Sequence, residues 1–263
     1  MSTDARIVIV LPAYNAARTL EKTYADIPKE RVHKIILVDD VSQDRTVEIA
    51  RALGLSVVIH IQNRGYGGNQ KTCYIEALKE GADVVVMLHP DHQYDSKLVP
   101  ELVEPILRGR ADMVLGSRIL NGRALEGGMP LWKYVANRAL TAAENIVFGT
   151  RLTDGHSGFR AYSRRLLTTV PFLLNSDDFV FDTQMIAQAA YMGFKIDEIP
   201  VQARYFPEAS SVNFKVSLIY GLKTVGVMAQ FLLQRIGLCR FRFFDSRLTD
   251  VVSRHYHETI FRS

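Results

Sequence analysis

The sequence predicts an α/β protein whose central sheet is mostly parallel, followed by a helical C-terminal extension. Short runs rich in β-branched apolar residues alternate with longer segments of helical periodicity over most of the chain. This alternation is typical of βα units, in which a helix joins each strand to the next. With 263 residues, of which 48% are hydrophobic and 23% charged, the chain has the composition of an ordinary globular protein.

Five strands are predicted in the first half of the chain, with a helix after each of the first four. Pro12 is expected to end the first strand, and Asn15 to cap the first helix, since asparagine is a preferred N-cap residue. Pro105 is expected to bend the fourth helix. The predicted strands are 7–11, 34–38, 55–61, 84–88 and 112–116, and the predicted helices are 16–27, 42–53, a segment from the glycine-rich loop 63–69 to about 79, and 96–108.

The pattern changes after residue 118. Residues 121–130 contain three glycines and are predicted to form a mobile loop. The predicted elements that follow are a helix 131–148, a loop 154–162 leading into a short strand, a helix 178–192, a strand 195–203 and a long helix 213–237. We therefore predict an α/β domain over residues 1–205 and a helical, basic and aromatic extension over 206–263.

Composition and termini narrow the function classes. A net charge of +4 and a pI of about 9.0 suit a polyphosphate ligand or an anionic membrane surface, but are too small to indicate nucleic-acid binding. Two cysteines, Cys73 and Cys239, indicate no disulfide framework, which favours a reducing, cytoplasmic location. The N-terminus leads directly into a strand, so no signal peptide is predicted, and no charge-free apolar run is long enough to span a bilayer.

The connection after the first strand argues against three enzyme classes. A dinucleotide-binding fold needs Gly-x-Gly-x-x-Gly there, whereas residues 12–16 contain no glycine. A Walker phosphate-binding loop is also absent from the sequence. A nucleotidyltransferase that makes nucleotide sugars would be expected to carry a glycine- and lysine-rich loop at the same place, and this too is missing.

The segment after the fourth predicted strand contains a candidate metal site. His89, Asp91 and Gln93 follow a run of buried, β-branched character, and ligands of open α/β sheets bind beyond the carboxyl ends of the strands. An imidazole with a carboxylate suits Mn²⁺, and Mg²⁺ can also bind through the carboxylate, water and a phosphate. His92 is expected to face the other way. The alternative is a loop whose polar residues face water.

Polar residues and glycines follow the other predicted strands as well. They are Tyr14 and Asn15 after the first strand, Asp39 and Asp40 after the second, and Asn63, Gly67 and Gly68 after the third. An aromatic ring can stack on a base, a carboxylate can accept its N–H or the ribose hydroxyls, and bare backbone amides allow close approach to a diphosphate. Together with a cation, these groups are the parts needed to hold a nucleoside diphosphate.

Five short segments, in order, resemble the family 2 glycosyltransferases of the GT-A fold, particularly the branch of polyprenyl-phosphate sugar transferases. They are Leu11-Pro12-Ala13-Tyr14-Asn15, residues 38–46 with Asp39-Asp40, the loop 63–68, Leu115-Gly116-Ser117-Arg118 and Ser157-Gly158-Phe159-Arg160. The resemblance implies an inverting transfer of a sugar from a UDP- or GDP-sugar, with a divalent metal. There are two alternatives. The acceptor is a soluble or polysaccharide hydroxyl, or the protein is a non-catalytic module that binds nucleotide sugars.

Two positions and one later segment depart from the family pattern. Val41 stands where the second motif usually has glycine, and His89 stands where the metal motif usually has its first aspartate. A neutral ligand in place of an anionic one predicts a weaker metal site, or one shifted towards a softer ion than Mg²⁺. The late Arg-x-x-Gly-x-Ser-Lys pattern of the lipid-phosphate branch is replaced by residues 204–211, which leaves the acceptor class open.

The resemblance also assigns roles to individual residues. Asp39 matches the base-binding carboxylate, and Asp40 either contacts the ribose or caps the following helix. Arg118 and Arg160 are candidates for steadying the leaving diphosphate or binding an acceptor phosphate. The nucleotide-sugar set is Pro12, Ala13, Tyr14, Asn15, Asp39, Asp40, Asn63, Gly67, Gly68 and Arg204; the catalytic set is Asp91, Asp182, Arg118 and Arg160; and the metal set is Asp91, His89 and Gln93.

The nature of the acceptor decides whether a base is needed. A hydroxyl acceptor must lose its proton, and Asp182 or Asp154 is then the candidate base. A phosphate monoester is already largely dianionic at neutral pH, since its second pKa is about 6, so it needs none.

The last predicted helix carries an apolar stripe at three- and four-residue spacing. The stripe comprises Leu218, Leu222, Val225, Ala229, Leu232 and Ile236. Because the basic and aromatic segment 240–244 follows it, we predict peripheral attachment to the cytoplasmic face of a membrane. Packing of the stripe on the domain core, or on a second copy of the chain, is the alternative.

Overall fold

The computed structural model describes residues 5–122, 124–204 and 214–249. Its strands are β1 Ile7–Ala13, β2 Lys34–Asp39, β3 Ser56–Ile59, β4 Val84–Met87, β5 Met113–Ser117, β6 Arg160–Ser163 and β7 Ile196–Pro200. Its helices are α1 Leu20–Ala25, α2 Thr46–Ala52, α3 Gly65–Lys79, α4 Val99–Leu107, α5 Leu131–Phe148, α6 Arg164–Thr169, α7 Phe181–Tyr191 and α8 Phe214–Arg235. Short 3-10 turns lie at Lys29–Arg31, Ser96–Leu98, Phe172–Leu174, Arg242–Phe244 and Ser246–Leu248.

The seven strands form one sheet in the order β3-β2-β1-β4-β6-β5-β7. Neighbouring strands are parallel except around β6, which runs antiparallel to both β4 and β5. β1 pairs with β2 on one side and β4 on the other, so the connections turn in opposite directions there. Such a switch point opens a crevice at the carboxyl ends of the strands. The predicted α/β fold with a mostly parallel sheet is confirmed.

Side chains of β1 alternate between two layers of the core. Val8 and Val10 pack with α3, α7 and α8, where Phe231 belongs to the same cluster. Ile9 and Leu11 point to the other face and pack with residues of α1 and α4. This alternation follows from the two-residue period of an extended strand, and it makes β1 the centre of both layers.

The prediction that Pro12 ends the first strand is wrong. β1 continues through Ala13, and Pro12 pairs in register with Val38 of β2. On the other side, β4 pairs with β1 only as far as Val10, so the last residues of β1 are unpaired there. Proline lacks a backbone N–H and is tolerated where one side of a strand has no partner.

Asn15 does not cap the first helix, because α1 begins four residues later than its predicted start. Asn15 lies in the left-handed region with φ of 53°. Its side-chain oxygen accepts the N–H of Gln43 at 2.8 Å, and its own N–H donates to the Ser42 hydroxyl at 2.8 Å. The residue therefore ties the loop after β1 to the loop after β2.

Other boundaries moved by a few residues. The glycine-rich segment, predicted as a loop over 63–69, is helical from Gly65 onward, where α3 begins. Helix α6, whose first turn is capped by the Ser163 hydroxyl, was not predicted. The predicted fourth helix begins as a 3-10 turn at Ser96–Leu98 and continues as α4. Pro105 lies inside α4. Helix α5 has the predicted bounds. The mobility of residues 121–130 stays a prediction.

Helix α8 packs against one face of the sheet and contributes side chains to the core there. Val227, Met228 and Phe231 belong to the cluster that contains Val8 and Val10. The division into residues 1–205 and 206–263 stays a prediction, and residues 205–213 and 250–263 lie outside the described ones. By length and composition alone, Val216–Arg235 is long and apolar enough to cross a membrane, although Lys223 interrupts it.

Candidate active site

A cavity of about 1310 Å³ opens at the carboxyl ends of β1 and β4 and continues between α5 and α8. Of the predicted site residues, the cavity is lined by Pro12, Ala13, Tyr14, Asn15, Asp40, Asn63, His89, Asp91, Gln93, Arg118 and Asp182. The predicted residues outside the lining are Asp39, Gly67, Gly68, Arg160 and Arg204.

Asp39 is buried at the end of β2 and has one oxygen unsatisfied. Its Oδ2 accepts the N–H of Ser42 at 3.0 Å, whereas Oδ1 is buried and has no hydrogen-bond partner among the described residues. Buried carboxylate oxygens are normally hydrogen-bonded, so an orphaned one suggests a donor supplied by a ligand. Its neighbours Ala13 and Asp40 both line the cavity.

Val41 shows why the family motif has glycine at this position. Its φ of 67° places a β-branched residue in the left-handed region, which costs on the order of 1–3 kcal/mol. The turn is held by the backbone N–H of Ser42 on Asp39 and by the Asn15 contacts described above. The chain therefore keeps the turn geometry at the expense of strain.

Asp40 caps α3, not the helix that directly follows it in the sequence. Its side chain accepts the N–H groups of Arg64 and Gly65 at 2.7 and 3.0 Å, and it pairs with the His60 ring at 2.7 Å. Asn63 supports the same turn, because its amide donates to the Asp40 carbonyl at 3.1 Å. These contacts hold the first turn of α3 against the end of β2.

Gly67 and Gly68 do not offer bare amides to a diphosphate, and the prediction is corrected in this respect. Both N–H groups point to the Asp177 carbonyl, at 2.7 and 3.4 Å. A Cβ on Gly67 would lie 2.4 Å from the Ser176 carbonyl oxygen. Gly67 is required by the close packing of α3 on the backbone of residues 176–177, and a Cβ on Gly68 would lie 2.8 Å from the Arg64 Cβ.

The predicted metal motif lies in the loop after β4, on the cavity wall. Asp91 Oδ1 accepts the N–H of Gln93 at 3.0 Å. Burial lowers the pKa of His89, against the opposing effect of Asp91 and Asp182, so the ring is neutral at neutral pH and keeps a lone pair. His92 has φ of 57° and turns away to Asp26, 3.1 Å from its carboxylate.

The donor set at this site is an imidazole, a carboxylate and an amide. Among the described residues there is no group of three or more histidine, cysteine, aspartate or glutamate side chains that could hold a metal. Mn²⁺ and Mg²⁺ commonly complete their coordination with water and with substrate phosphate oxygens. The residues present fit a divalent ion that binds together with a nucleoside diphosphate.

Arg160 is a structural residue rather than a diphosphate contact, which corrects the prediction. It lies in β6, is fully buried, and donates to the carbonyl oxygens of Ser157, Asp182 and Gly155 at 2.7, 3.1 and 3.1 Å. Burial opposes its charge, but the Asp182 carboxylate 3.5 Å away holds its pKa above the usual range. Every guanidinium nitrogen is thus bonded within the protein.

Asp182 lies at the start of α7 and is reached by a residue that the sequence analysis missed. The Tyr66 hydroxyl donates to its Oδ2 at 2.8 Å, and the Gln70 amide donates to Oδ1 at 3.2 Å. Tyr66 also lies 3.2 Å from His89 Nε2. Tyr66 lies between two glycines in the segment 63–69, which the sequence analysis had already assigned to the site, so this position could have identified it.

Arg118 lines the cavity and forms a bidentate pair with Asp154. Its Nε and a terminal nitrogen lie 2.6 and 2.9 Å from the two carboxylate oxygens. Burial opposes ionisation of Asp154, but the Arg118 charge and the hydrogen bonds from Arg118 and Asn137 hold its pKa well below the usual range. A carboxylate stabilised in this way is a poor base, so Asp154 is withdrawn as a candidate and Asp182 remains.

Arg204 follows β7 in the sequence and lies against the loop after β4. Its guanidinium is 3.4 Å from His92 Nε2. Its backbone N–H donates to the Gln93 carbonyl at 2.8 Å. The exposed side chain is therefore placed on the Asp26 side of this loop, away from the cavity lining. Its nucleotide-sugar role stays a prediction, and residues 205–211 of the same segment lie outside the described ones.

Residues 8–170 match the family model of glycosyl transferase family 2. The chain belongs to this family. It is a glycosyltransferase with the GT-A fold.

Relatives of known sequence and structure agree with this assignment. The chain is 32% identical to an uncharacterized protein of Methanocaldococcus jannaschii, over 88% of this chain and 92% of the relative. It is 27% identical to the UDP-N-acetylglucosamine–dolichyl-phosphate N-acetylglucosaminyltransferase of Methanococcus voltae, over 77% and 87%. A crystal structure of Mycobacterium tuberculosis glucosyl-3-phosphoglycerate synthase with Mn²⁺ and UDP-glucose has the same fold, with a TM-score of 0.66 at 24% identity, over 89% and 79% of the two chains.

In or behind the second half of the glycosyltransferase cavity, α5 carries polar groups that the sequence analysis missed: Lys133 and Asn137 line the cavity, and Thr141 and Glu144 are buried behind them. Lys133 lines the cavity, and burial followed by the nearby Arg118 charge lowers its pKa. Glu144 is buried, and burial raises its pKa to about 8. Lys133, Asn137, Thr141 and Glu144 recur at three- and four-residue spacing on the predicted helix, which was a readable signal.

His156 joins α5 to α8 below these groups. Its Nδ1 lies 2.7 Å from the Tyr220 hydroxyl, and its Nε2 lies 3.4 Å from Glu144 Oε2. This second contact is close in distance but does not have hydrogen-bond geometry. Burial lowers the pKa of His156 to about 4, so both ring and carboxyl are uncharged near neutral pH.

Helix α8 packs on the core of the sheet with one face and leaves the predicted stripe exposed, with Leu218, Leu222 and Val225 also on the cavity wall. Thr224, Val227, Met228 and Phe231 form the buried face. On the polar side, Gln234 donates to the Tyr191 hydroxyl at 3.0 Å and Lys223 pairs with Asp178. The stripe residues Leu218, Leu222, Val225, Ala229, Leu232 and Ile236 are all exposed. The alternative that this stripe packs on the domain core is wrong.

Proposed function

We propose that this glycosyltransferase moves a sugar from a UDP- or GDP-sugar to a polyprenyl phosphate, with inversion at the anomeric carbon. The observation that carries the proposal is the continuity of the cavity from the strand-edge residues, past Arg118 and Lys133, to the apolar walls of α5 and α8. A nucleotide, a phosphate and a lipid chain need these three environments in this order.

Groups at the strand edge are suited to hold the donor. The orphaned Asp39 oxygen can accept a base N–H, and the exposed ring of Tyr14 offers a stacking face. His89, Asp91 and Gln93 would hold the divalent ion. When bound, such an ion neutralises the charge that develops on a departing diphosphate.

The cations beyond this edge favour a phosphate acceptor. Arg118 is held by Asp154, and Lys133 lines the cavity beside this pair, so the charge of Lys133 lies where an acceptor phosphate would approach the anomeric carbon. A phosphate oxygen needs no base. Asp182 would have to serve a hydroxyl acceptor, yet it is engaged by Tyr66 and Gln70.

A transfer assay with matched acceptors tests the proposal. Labelled UDP- and GDP-sugars are offered with Mn²⁺ to a short polyprenyl phosphate, to the same polyprenol without phosphate, and to soluble sugars. We expect transfer to the phosphate alone, with the opposite anomeric configuration by NMR. Chelation should abolish transfer, and Asp91→Ala should lower it at least tenfold, about 1.4 kcal/mol. Equal transfer to the polyprenol would contradict a phosphate acceptor.

We also propose that the exposed stripe of α8 and neighbouring apolar residues of α5 rest on the cytoplasmic surface of a membrane. Leu131, Trp132 and Val135 are exposed on α5, and Trp132 lines the cavity together with Leu218 and Leu222 of α8. Contiguous exposed apolar residues rimmed by polar ones are typical of an interaction site. Attachment there would also keep the acceptor chain in lipid while the phosphate reaches Lys133.

Co-sedimentation with anionic liposomes tests this attachment. The double variant Leu218→Gln, Leu222→Gln should stay in the supernatant, whereas Ile61→Gln, which changes an exposed apolar residue on the loop after β3, should pellet like wild type. Wild-type protein that stays in the supernatant and sediments as a dimer would instead make α8 an interface between two copies.

A further inference from the structure

Asp182, Tyr66 and His89 form a hydrogen-bonded chain that ends at the candidate metal site. The Tyr66 hydroxyl is 2.8 Å from Asp182 Oδ2 and 3.2 Å from His89 Nε2. The two rings stack with centroids 5.4 Å apart and an angle of 23° between their planes. The chain links α3, α7 and the loop after β4, so it depends on tertiary packing.

Counting protons along this chain fixes the state of the histidine ring. Asp182 also faces the Gln70 amide at 3.2 Å and the Arg160 guanidinium at 3.5 Å. Amide and guanidinium nitrogens only donate, so the carboxylate is an acceptor on all sides. The single hydroxyl proton of Tyr66 therefore goes to Asp182, and its oxygen is left to accept from His89. Nε2 of the neutral ring then carries the proton, and Nδ1 carries the lone pair.

The orientation of the ring agrees with this assignment. A Cβ built on Gly158 would lie 2.9 Å from His89 Cδ2 and 3.1 Å from Nε2, so this edge of the ring is packed against the backbone of residue 158. Nδ1 is on the opposite edge. Among the described residues, the hydrogen bonding of the ring involves only Nε2.

We propose that Tyr66 and Asp182 are positioning residues that hold His89 in the Nε2-protonated form, so that Nδ1 is the atom offered to the divalent ion. Metal-binding histidines commonly donate their second ring N–H to an oxygen that is itself anchored, which fixes the tautomer and the ring. The inference rests on the proposed metal-dependent function. It also accounts for how this chain can replace the first aspartate of the family motif by histidine, because a neutral ligand must present a correctly placed lone pair.

Electron spin-echo spectroscopy of the Mn²⁺·UDP complex identifies the bound nitrogen directly. Wild-type protein is prepared with unlabelled histidine, with ¹⁵N at Nδ1, and with ¹⁵N at Nε2, and His89→Asn identifies the contribution of this ring. We expect the coupling of directly bound ¹⁴N to be replaced by a ¹⁵N coupling with the Nδ1 label and to persist with the Nε2 label. Replacement with the Nε2 label, or the absence of any imidazole coupling, overturns the inference.

Substitutions test whether Tyr66 and Asp182 set this geometry. Tyr66→Phe removes only the hydroxyl, and Asp182→Asn removes the charge; both should weaken Mn²⁺ binding in the presence of UDP by about tenfold or more. UDP binding without metal should not change. Tyr191→Phe, which loses a hydroxyl contact to Gln234 remote from the cavity, is the matched control and should bind Mn²⁺ like wild type.

A merely structural role for Tyr66 predicts a different pattern. Metal-free UDP binding and Mn²⁺ binding would then fall together, and the coupling to Nδ1 would keep its strength in the folded fraction; that pattern, or wild-type Mn²⁺ affinity in Tyr66→Phe, overturns the inference. If a variant fails to fold, the labelled wild-type protein still decides. If Nδ1 coupling is seen but no sugar is transferred to polyprenyl phosphate, the proposed acceptor is refuted and the inference stands. If transfer depends on metal but no imidazole coupling is seen, the proposed function stands and the inference is refuted.

Discussion

The two halves of the cavity are held in place by different forces. In the strand-edge half, formed by residues 12–16, 40, 63–69 and 89–94, side chains are fixed by backbone N–H groups, as Asp40 is by Arg64 and Gly65. In the helical half, formed by α5, α8, Arg118 and His156, they are fixed by a buried ion pair and by uncharged titratable groups. Between pH 6.5 and 8 the second half should be the more sensitive to pH, because the pKa of Glu144 lies in this range.

The largest effect is expected at the ion pair of the helical half. Arg118→Ala leaves the Asp154 carboxylate buried without its charge partner, which typically costs about 3–5 kcal/mol of stability. Chemical denaturation measures the loss. Arg138→Ala, which removes an exposed arginine bonded among the described residues only to the Thr153 carbonyl, should cost under about 0.5 kcal/mol. Equal losses in the two variants would show that Asp154 is not held by Arg118.

Two adjacent aspartates sharpen the comparison within the strand-edge half. Asp39→Ala removes the orphaned oxygen and should weaken nucleoside diphosphate binding by about 1.5–3 kcal/mol, the usual worth of a hydrogen bond to a charged group. Asp40→Ala removes the cap of α3 and should lower stability by about 1 kcal/mol or more. Calorimetry and thermal melts of both variants separate the two roles. Unchanged nucleotide affinity in Asp39→Ala would remove the base contact.

The titratable groups of the helical half predict a pH dependence. Glu144 has its pKa raised to about 8 in the fold, so its contribution is complete below the unfolded value near 4.3 and is lost as pH rises towards 8. His156 has its pKa lowered to about 4, so its contribution is complete above about 6.5 and is lost as pH falls. Of these two groups, Glu144 dominates between pH 6.5 and 8, and its titration by itself should lower stability by about 2 kcal/mol.

Glu144→Gln is the variant that isolates this effect, since it keeps the shape of the side chain and cannot ionise. The fall in unfolding free energy that Glu144 causes between pH 6.5 and 8 should be absent in this variant. Glu126→Gln changes a glutamate on the turn before α5 and should retain the wild-type slope. If the stability of the wild-type protein does not fall between pH 6.5 and 8, the pKa of Glu144 is not raised in the fold.

The smallest effect is expected at Val41. Val41→Gly relieves a left-handed β-branched residue but increases the freedom of the unfolded chain, and the difference should stabilise the fold by about 0.5–1 kcal/mol. Val57→Gly, on β3, should destabilise it, because the extended backbone there gains nothing from glycine. Thermal unfolding of both variants measures whether each substitution raises or lowers stability. A loss of stability in Val41→Gly would show that the turn is not strained.

Local pattern in the sequence by itself determined the parallel sheet, the bounds of α5, and the placement of Tyr14, Asp40, His89 and Asp91 on one crevice. Strand period and parallel connections leave little choice of where strand ends meet. Tertiary structure alone decided that Arg160 is buried inside, that Gly67 and Gly68 pack on residues 176–177, that Tyr66 joins His89 to Asp182, and that the apolar stripe of α8 faces outward. Each of these depends on which distant segments meet, and a periodic pattern shows that a face exists without showing what it packs against.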